Sequence, residues 1–185
     1  MVYKKKEFVL KDGTKVVFKT PEISDAEKLL NHIKLVASST DFLTRTAEDF
    51  TNDVALEEKF IASRRKENCV YICAYFDNNI IGCCEMTFGT LNKNKHRATI
   101  GIAIQKAYQN KGLGSLFFDE MIRIAKENNN IEQIELDGGV ISNNELAKHL
   151  YTKKGFIKTG YIPRQLKLKD GTYLDGELMV LFLDK

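Results

Sequence analysis

A stretch in the middle of the chain, residues 97–128, constrains the fold more than any other part of the sequence. It begins with RATIGIAI, continues through QKAYQNKGLG, and ends in a long segment whose apolar residues recur at helical spacing. This pattern predicts a strand over 97–104, a glycine turn, and a helix over about 112–128. The first N–H groups of such a helix have no intrahelical acceptor and the helix dipole adds partial positive charge, so the turn suits an anion such as a phosphate.

The segments on either side of this stretch mix hairpins with helices. The other predicted strands are 8–20, which forms a hairpin turning at Asp12-Gly13, then 69–76, 80–88, 131–139, 156–162 and 178–183. The other predicted helices are one that follows a capping box of Ser24 and Glu27, one over about 51–66, and one over 142–153 capped by Ser142 or Asn143. This order predicts a mixed α/β fold with a mixed sheet flanked by helices, and it does not fit a doubly wound parallel sheet.

Composition excludes several classes of protein. The chain has 185 residues, 43% of them hydrophobic, and no linker or repeat interrupts it, so we expect a single domain over 1–185. A net charge of +3 is too small to predict a nucleic-acid partner. No run of about 18 apolar residues predicts a membrane span, and the N-terminal MVYKKKEF lacks the apolar core of a signal peptide, so we expect a cytoplasmic protein.

The cysteines and histidines do not predict a metal site. The four cysteines form no C-x-x-C pair, and the three histidines are scattered along the sequence. We therefore expect reduced, mostly buried thiols and no metal.

The spacing of the glycines narrows the kind of phosphate site. A P-loop needs G-x-x-x-x-G-K-[ST], which the turn lacks. The dinucleotide pattern G-x-G-x-x-G/A, read from Gly112, fails because Phe117 stands at its third small position. The pattern that fits is Q/R-x-x-G-x-G/A, formed by Gln109, Gly112 and Gly114.

This motif resembles the acetyl-CoA binding motif of the GNAT acyltransferase superfamily. Further along the chain, Val140, Asn144, Ala147, Leu150-Tyr151 and Gly155-Phe156 fit the family pattern V-x3-N-x2-A-x2-L-Y-x3-G-F. The resemblance implies the GNAT fold, in which a mixed, mostly antiparallel sheet of about seven strands is flanked by about four helices. It also implies acetyl-CoA as the cosubstrate and no metal.

The resemblance also implies which residues bind acetyl-CoA. They are Ile102, Ala103, Ile104, Gln109, Asn110, Lys111, Gly112, Leu113, Gly114, Ser115, Asn144, Ala147 and Tyr151. The turn would hold the pyrophosphate, and the strand N–H groups from Ile102 to Ile104 would contact the pantetheine arm and the thioester carbonyl. The Asn144 amide would bind the pantetheine, or it would act simply as a helix cap.

The implied reaction is direct transfer of an acetyl group to a primary amine in a ternary complex. Tyr151 would protonate the departing thiolate. The alternative is that Tyr151 is simply an aromatic residue of the core. Relatives that acetylate protein N-termini often carry a glutamate at the position that here is Gly139, so the base must lie elsewhere. Glu85, inside an apolar strand, is the first candidate, because a buried carboxylate needs a function or a cation such as Arg97.

Asp137, His96 and water are the alternative bases. The sequence also leaves the identity of the acceptor amine open. The loop 41–50 is expected to form one wall of its site, and Gly138-Gly139 would admit a bulkier acceptor or mark a bulge. A polyamine would need an acidic pocket, and an acidic acceptor would need Arg45 or Arg97.

The expected partners are therefore acetyl-CoA and an amine acceptor, with neither nucleic acid nor membrane. Edge strands near the C-terminus favour a homodimer. The alternative function, from a different class of protein, is a CoA-binding regulatory module without chemistry.

Overall fold

The computed structural model describes residues 1–51, 53–66 and 68–184. Within them are nine strands and four α-helices, and none of these helices is long and apolar enough to cross a bilayer. The strands are β1 (Lys6–Val9), β2 (Lys15–Lys19), β3 (Cys69–Phe76), β4 (Asn79–Phe88), β5 (Arg97–Ile104), β6 (Gln133–Leu136), β7 (Val140–Ile141), β8 (Ile157–Lys167) and β9 (Tyr173–Phe182). The helices are α1 (Ala26–Ala37), α2 (Val54–Arg64), α3 (Leu113–Glu127) and α4 (Glu145–Lys153).

The chain divides into two compact units that share β5 and α3. The first contains Met1–Thr87 and Ile102–Phe117, and the second contains Phe88–Gly101 and the chain from Phe118 onwards. The mixed α/β class is confirmed, with nine strands instead of about seven and with the four helices expected. The expectation that 1–185 is a single domain stays a prediction.

The first unit contains four antiparallel strands in the order β1-β2-β3-β4. Strand β3 is buried over nearly its whole length because side chains cover it on both faces. On one face Ile61 of α2 packs with Tyr71 and Cys83. In another part of this core Phe18 of β2 stacks on Phe117 of α3, with ring centroids 4.4 Å apart.

Helix α1 begins later than the sequence predicts. The predicted capping box of Ser24 and Glu27 is wrong, because a short 3-10 turn, Ile23–Asp25, precedes the helix. The Asp25 carboxylate accepts a hydrogen bond from the Glu22 N–H at 3.1 Å. The capping interaction therefore lies two residues upstream of the predicted one.

The second unit contains one parallel and three antiparallel strand pairs, as the predicted mixed sheet requires. Strand β5 pairs parallel with β6, and β6 pairs antiparallel with β9. Strands β7 and β8 also pair antiparallel with β9.

Strand β6 is shorter than the predicted strand 131–139. It ends at Leu136, because Gly138 (φ 65°) and Gly139 (φ 80°) adopt left-handed backbone conformations that favour glycine. A Cβ atom on Gly139 would lie 2.6 Å from the carbonyl oxygen of Glu177. The two glycines therefore form a turn into β7, and no side chain fits at position 139.

Candidate active site

The glycine turn lies where the sequence places it, between β5 and α3. Asn110 (φ 60°) and Gly112 (φ 90°) both adopt the left-handed conformation, which turns the chain sharply into the helix. The Leu116 N–H donates to the Gly112 carbonyl at 3.1 Å, so the helical hydrogen bonds start there. By helix geometry the N–H groups of Leu113, Gly114 and Ser115 have no intrahelical acceptor, and they can bind an anion.

Hydrogen bonds from both sides hold this turn. The side-chain amide of Gln109 donates to the carbonyl oxygen of Ile104 at 3.1 Å, and the N–H of Lys11 donates to the carbonyl of Lys111 at 3.0 Å. The Lys111 ammonium pairs with Asp12 at 3.0 Å and holds the pKa of that carboxyl at about 2. Asp12, in the turn between β1 and β2, therefore neutralises part of the Lys111 charge. The Gln109 side chain hydrogen-bonds to the protein's own backbone.

The end of β5 continues past its pairing with β6. That ladder runs from the Arg97–Gln133 pair to the Ile100–Leu136 pair. The Gln105 N–H donates to the Ile81 carbonyl on β4 at 3.1 Å. Successive N–H groups of a strand point to opposite edges, so the N–H of Ala103 shares the β4 side, while those of Ile102 and Ile104 point away from it.

A buried histidine lies beside the end of β5. The Gln105 side chain donates to the Ile80 carbonyl at 2.8 Å and lies 3.2 Å from Nδ1 of His32. If Nδ1 accepts from this amide, the proton of the neutral ring is on Nε2. Burial lowers the pKa of His32 to about 4, so the ring is neutral at pH 7. His32 and Gln105 also line a cleft of about 380 Å³ in the first unit.

Glu85 lies on β4, where it is half-buried, and its partner differs from the one considered from the sequence. Its Oε1 lies 2.8 Å from Nε of Arg64 and accepts a hydrogen bond from the Thr87 hydroxyl at 3.1 Å. The pairing with Arg97 is wrong, because the Arg97 guanidinium binds Glu135 on β6. Arg97 therefore pairs with a carboxylate on the neighbouring strand β6.

The other candidate residues lie in different surroundings. Asp137 is exposed just after β6, and its N–H donates to the Ile100 carbonyl at 2.8 Å. His96, partly exposed, precedes β5. The guanidinium of Arg45 donates to the Asp49 carbonyl at 3.0 Å and lies 4.2 Å from the centre of the Phe50 ring, so it supports the loop 41–50 from within.

In the second unit Asn144 caps α4. Its side-chain oxygen accepts a hydrogen bond from the Ala147 N–H at 3.2 Å, which corrects the predicted caps Ser142 and Asn143. With the oxygen used in this way, the NH₂ group of the same amide is the part that can meet a ligand. Capping and ligand binding are therefore compatible at this residue.

Tyr151, about two turns after Asn144 on α4, is 9% exposed. Its ring packs against Phe118 and Phe156, with centroid distances of 5.3 and 6.0 Å. This packing fixes the ring, and the phenolic hydroxyl is the one polar atom of the side chain.

The four cysteines are buried, as the sequence predicts, and each is a free thiol. Burial raises the pKa of Cys69 and of Cys83 to about 11, so neither thiol is a ready nucleophile at neutral pH. Among the described residues no group of His, Cys, Asp or Glu side chains could hold a metal ion.

Two residues of these surroundings were missed from the sequence. His32 lies on the apolar side of α1, three residues after Leu29, and this helical spacing is a signal that it is buried. Arg64 ends α2, where a basic residue is ordinary, and nothing local in the sequence links it to Glu85.

The fold is mixed α/β, and its strand, glycine turn and helix present N–H groups that can bind a phosphate. The chain belongs to the Acetyltransferase (GNAT) family, whose profile matches residues 36–156. The resemblance seen in the sequence is thereby confirmed.

Individual relatives agree with this assignment. The L-amino acid N-acetyltransferase AaaT of Escherichia coli (strain K12) is 27% identical over 108 residues, which are 58% of this chain and 65% of that protein. A GNAT-family acetyltransferase from Streptococcus pneumoniae superposes with a TM-score of 0.83 at 27% identity, over 91% of this chain and 99% of that one. The yncA protein of Salmonella typhimurium, solved with its cofactor acetyl-CoA, has the same fold (TM-score 0.76, 18% identity, 92% and 95% coverage).

Proposed function

We propose that this protein transfers the acetyl group of acetyl-CoA to the primary amine of a small molecule or peptide. The observation that carries the proposal is the start of α3, where three successive N–H groups lack intrahelical acceptors next to the left-handed Gly112. Family membership supports acetyl-CoA as the molecule that supplies the phosphate groups.

The turn would bind the pyrophosphate mainly through its backbone. The N–H groups of Leu113, Gly114 and Ser115 supply the donors, and the missing side chain at Gly112 lets the anion approach. The Lys111 ammonium is already paired with Asp12, so it would attract the pyrophosphate only through long-range electrostatics. Gln109 and Asn110 shape the turn, one by its bond to Ile104 and the other by its left-handed backbone.

The thioester would meet the N–H groups of Ile102 and Ile104, which point away from β4. These donors would stabilise the negative charge that forms on the carbonyl oxygen when the amine attacks. The NH₂ group of Asn144 would hold the pantetheine, beside Ala147.

The proton transfers would use Glu85 and Tyr151. An ammonium ion cannot attack a thioester, so Glu85, directly or through water, would take a proton from the acceptor nitrogen. The neutral nitrogen then bonds to the carbonyl carbon. As the C–S bond breaks, the Tyr151 hydroxyl would protonate the thiolate of CoA, and the second proton of the nitrogen would pass through water to the tyrosinate. Asp137 and His96 stay alternative bases. Turnover of variants of each residue with a panel of amines tests whether either one acts.

The acceptor that we favour is a free L-amino acid. The name of the Escherichia coli relative, which is 27% identical over the matched region, supports this choice. The partly exposed Arg64–Glu85 pair also offers both charges that an amino acid needs.

Thermal unfolding with acetyl-CoA, ATP or NAD tests the cosubstrate. A ligand that binds only the native state stabilises it by about 2.7 kcal/mol at a concentration 100 times its Kd, so acetyl-CoA should raise the melting temperature by several degrees. A shift with ATP and none with acetyl-CoA would contradict the proposal. Release of free CoA with a panel of amino acids, peptides, polyamines and aminoglycosides then identifies the acceptor.

A further inference from the structure

We propose that Arg64 and Glu85 together recognise the zwitterionic head of an α-amino acid, with Arg64 binding its carboxylate and Glu85 its amino group. This inference rests on the proposed function and assigns a role to Arg64, a residue outside the expected site. All the residues on which it depends lie in the first unit.

The setting is the side of the β3–β4 hairpin that α2 covers. Tyr71 on β3 lies directly opposite Glu85 on β4, and alternation places both side chains on the same face. Phe60 of α2 meets the Tyr71 ring edge-on, with centroids 5.6 Å apart. The Arg64 guanidinium, one turn further along α2, lies 4.5 Å from the centre of the Phe60 ring. Aromatic rings therefore hold the guanidinium in place next to Glu85.

This layer between α2 and the β3–β4 hairpin contains several polar groups. The hairpin face presents Cys69, Tyr71, Glu85 and Thr87, and burial raises the pKa of the Glu57 carboxyl on α2. The side chains of Arg64 and Glu85 stay 35% and 25% exposed. An exposed ion pair contributes only about 0–1 kcal/mol to folding, so stability alone is a weak reason for a charged pair at this place.

The geometry of the pair leaves binding groups for a ligand. The contact joins Nε of Arg64 to Oε1 of Glu85, and the same Oε1 accepts from Thr87. Among the described residues, the Nη1–Nη2 edge of Arg64 has one long hydrogen bond, 3.4 Å from Nη1 to the Ser63 hydroxyl, and Oε2 of Glu85 has none. That nitrogen edge is the one that binds a carboxylate through two parallel hydrogen bonds.

An α-amino acid matches this arrangement. Its carboxylate and amino groups are joined by a single carbon, and the guanidinium and carboxylate here touch at 2.8 Å. The amino acid can therefore bind Arg64 and Glu85 together without separating them. Ala103 of β5 packs against the hydrophobic cluster that contains Tyr71, the residue opposite Glu85. The Arg64–Glu85 pair and this end of β5, which is expected to hold the thioester, lie in the same unit.

The test compares an L-amino acid with its amide, which keeps the amine and lacks the carboxylate. In the wild type the KM of the amide should exceed that of the amino acid by about 10-fold or more, since a hydrogen-bonded charge is lost. In Arg64→Gln this ratio should fall to about 1, while the KM for acetyl-CoA stays within about 2-fold. Arg65→Gln is the matched control, because Arg65 is the next residue and pairs with Glu22 at 3.2 Å.

Three results would overturn the inference. They are a wild type that uses amide and acid equally well, an Arg64→Gln variant that loses both substrates equally, and an Arg65→Gln variant that behaves as Arg64→Gln does. The acetyl-CoA melting shift shows that each variant is folded, and Arg64→Lys, which keeps the charge without the two-nitrogen edge, replaces Arg64→Gln if that variant does not fold. Turnover with peptides or polyamines but no amino acid would reject this inference alone, whereas no melting shift with acetyl-CoA would reject the proposed function.

Discussion

The side-chain amide of Gln109 donates to the carbonyl oxygen of Ile104, so the first residue of the glycine motif is tied to the strand before it. The bond spans the short 3-10 turn Lys106–Tyr108. It fixes the position of the helix start relative to the last residue of β5. The glutamine of the motif therefore shapes the site for the anion, and the backbone amides supply the contacts.

Replacing Gln109 with leucine should weaken acetyl-CoA binding without unfolding the protein. One neutral hydrogen bond contributes about 0.5–1.5 kcal/mol, which corresponds to about 2- to 13-fold in Kd. Isothermal titration with acetyl-CoA measures the change. Gln133→Leu, at a polar side chain in the second unit that bonds to Glu135, is the control and should leave the Kd unchanged. An unaltered Kd in Gln109→Leu would show that the turn holds its shape without this bond.

The strands that are covered on both faces were the easiest to predict. The run 69–76 coincides with β3 because every position is apolar or aromatic, and the structure buries it between two layers. Strand β6 could not be delimited, because its end depends on the contact between Gly139 and the Glu177 carbonyl, 38 residues further along the chain.

The helix caps and ion pairs show where local sequence stops being informative. Ser142, Asn143 and Asn144 can all cap a helix, yet the Ser142 N–H donates to the Asp175 carbonyl, directly after the pairing of β7 with β9. Likewise, Glu85 pairs with Arg64 because α2 covers that face of β4, which no short-range pattern reveals. Tertiary contacts therefore determine which residue caps α4 and which cation pairs with Glu85, where local propensity does not distinguish the candidates.

The buried His32 should make stability depend on pH in acid. Burial lowers its pKa from 6.5 to about 4, so between these values the unfolded chain binds a proton that the folded chain does not. The His32 contribution should therefore be unaffected above about pH 6.5 and should cost about 3 kcal/mol of unfolding free energy by pH 4. Urea unfolding at pH 7 and pH 4 measures this loss.

The difference between variants isolates the contribution of His32 from that of the carboxylates. His32→Asn should lose about 3 kcal/mol less stability between the two pH values than the wild type does. His149→Gln, at an exposed histidine on α4, should behave as the wild type does. Equal losses in all three proteins would mean that His32 takes up its proton in the folded state.

Replacing Tyr151 with phenylalanine removes only the hydroxyl, since the ring contacts with Phe118 and Phe156 are kept. If this hydroxyl protonates the thiolate, turnover should fall by about 100-fold or more, with the Kd of acetyl-CoA within about 2-fold. Tyr161→Phe, at an exposed tyrosine bonded to Asp175, is the control. Unchanged turnover would remove Tyr151 from the mechanism, and binding of acetyl-CoA with no turnover in the wild type would favour a regulatory module.

Two variants of Asn144 can separate its contribution to folding from its contribution to acetyl-CoA binding. Asn144→Asp keeps an oxygen that accepts from the Ala147 N–H but loses the NH₂ group, whereas Asn144→Ala loses both. Alanine should therefore lower the unfolding free energy by about 1 kcal/mol, and aspartate should leave it nearly unchanged, because aspartate caps a helix as well as asparagine. Both variants should raise the KM for acetyl-CoA if the amide holds the pantetheine. A normal KM in Asn144→Asp, measured at saturating acceptor, would assign Asn144 to the cap alone.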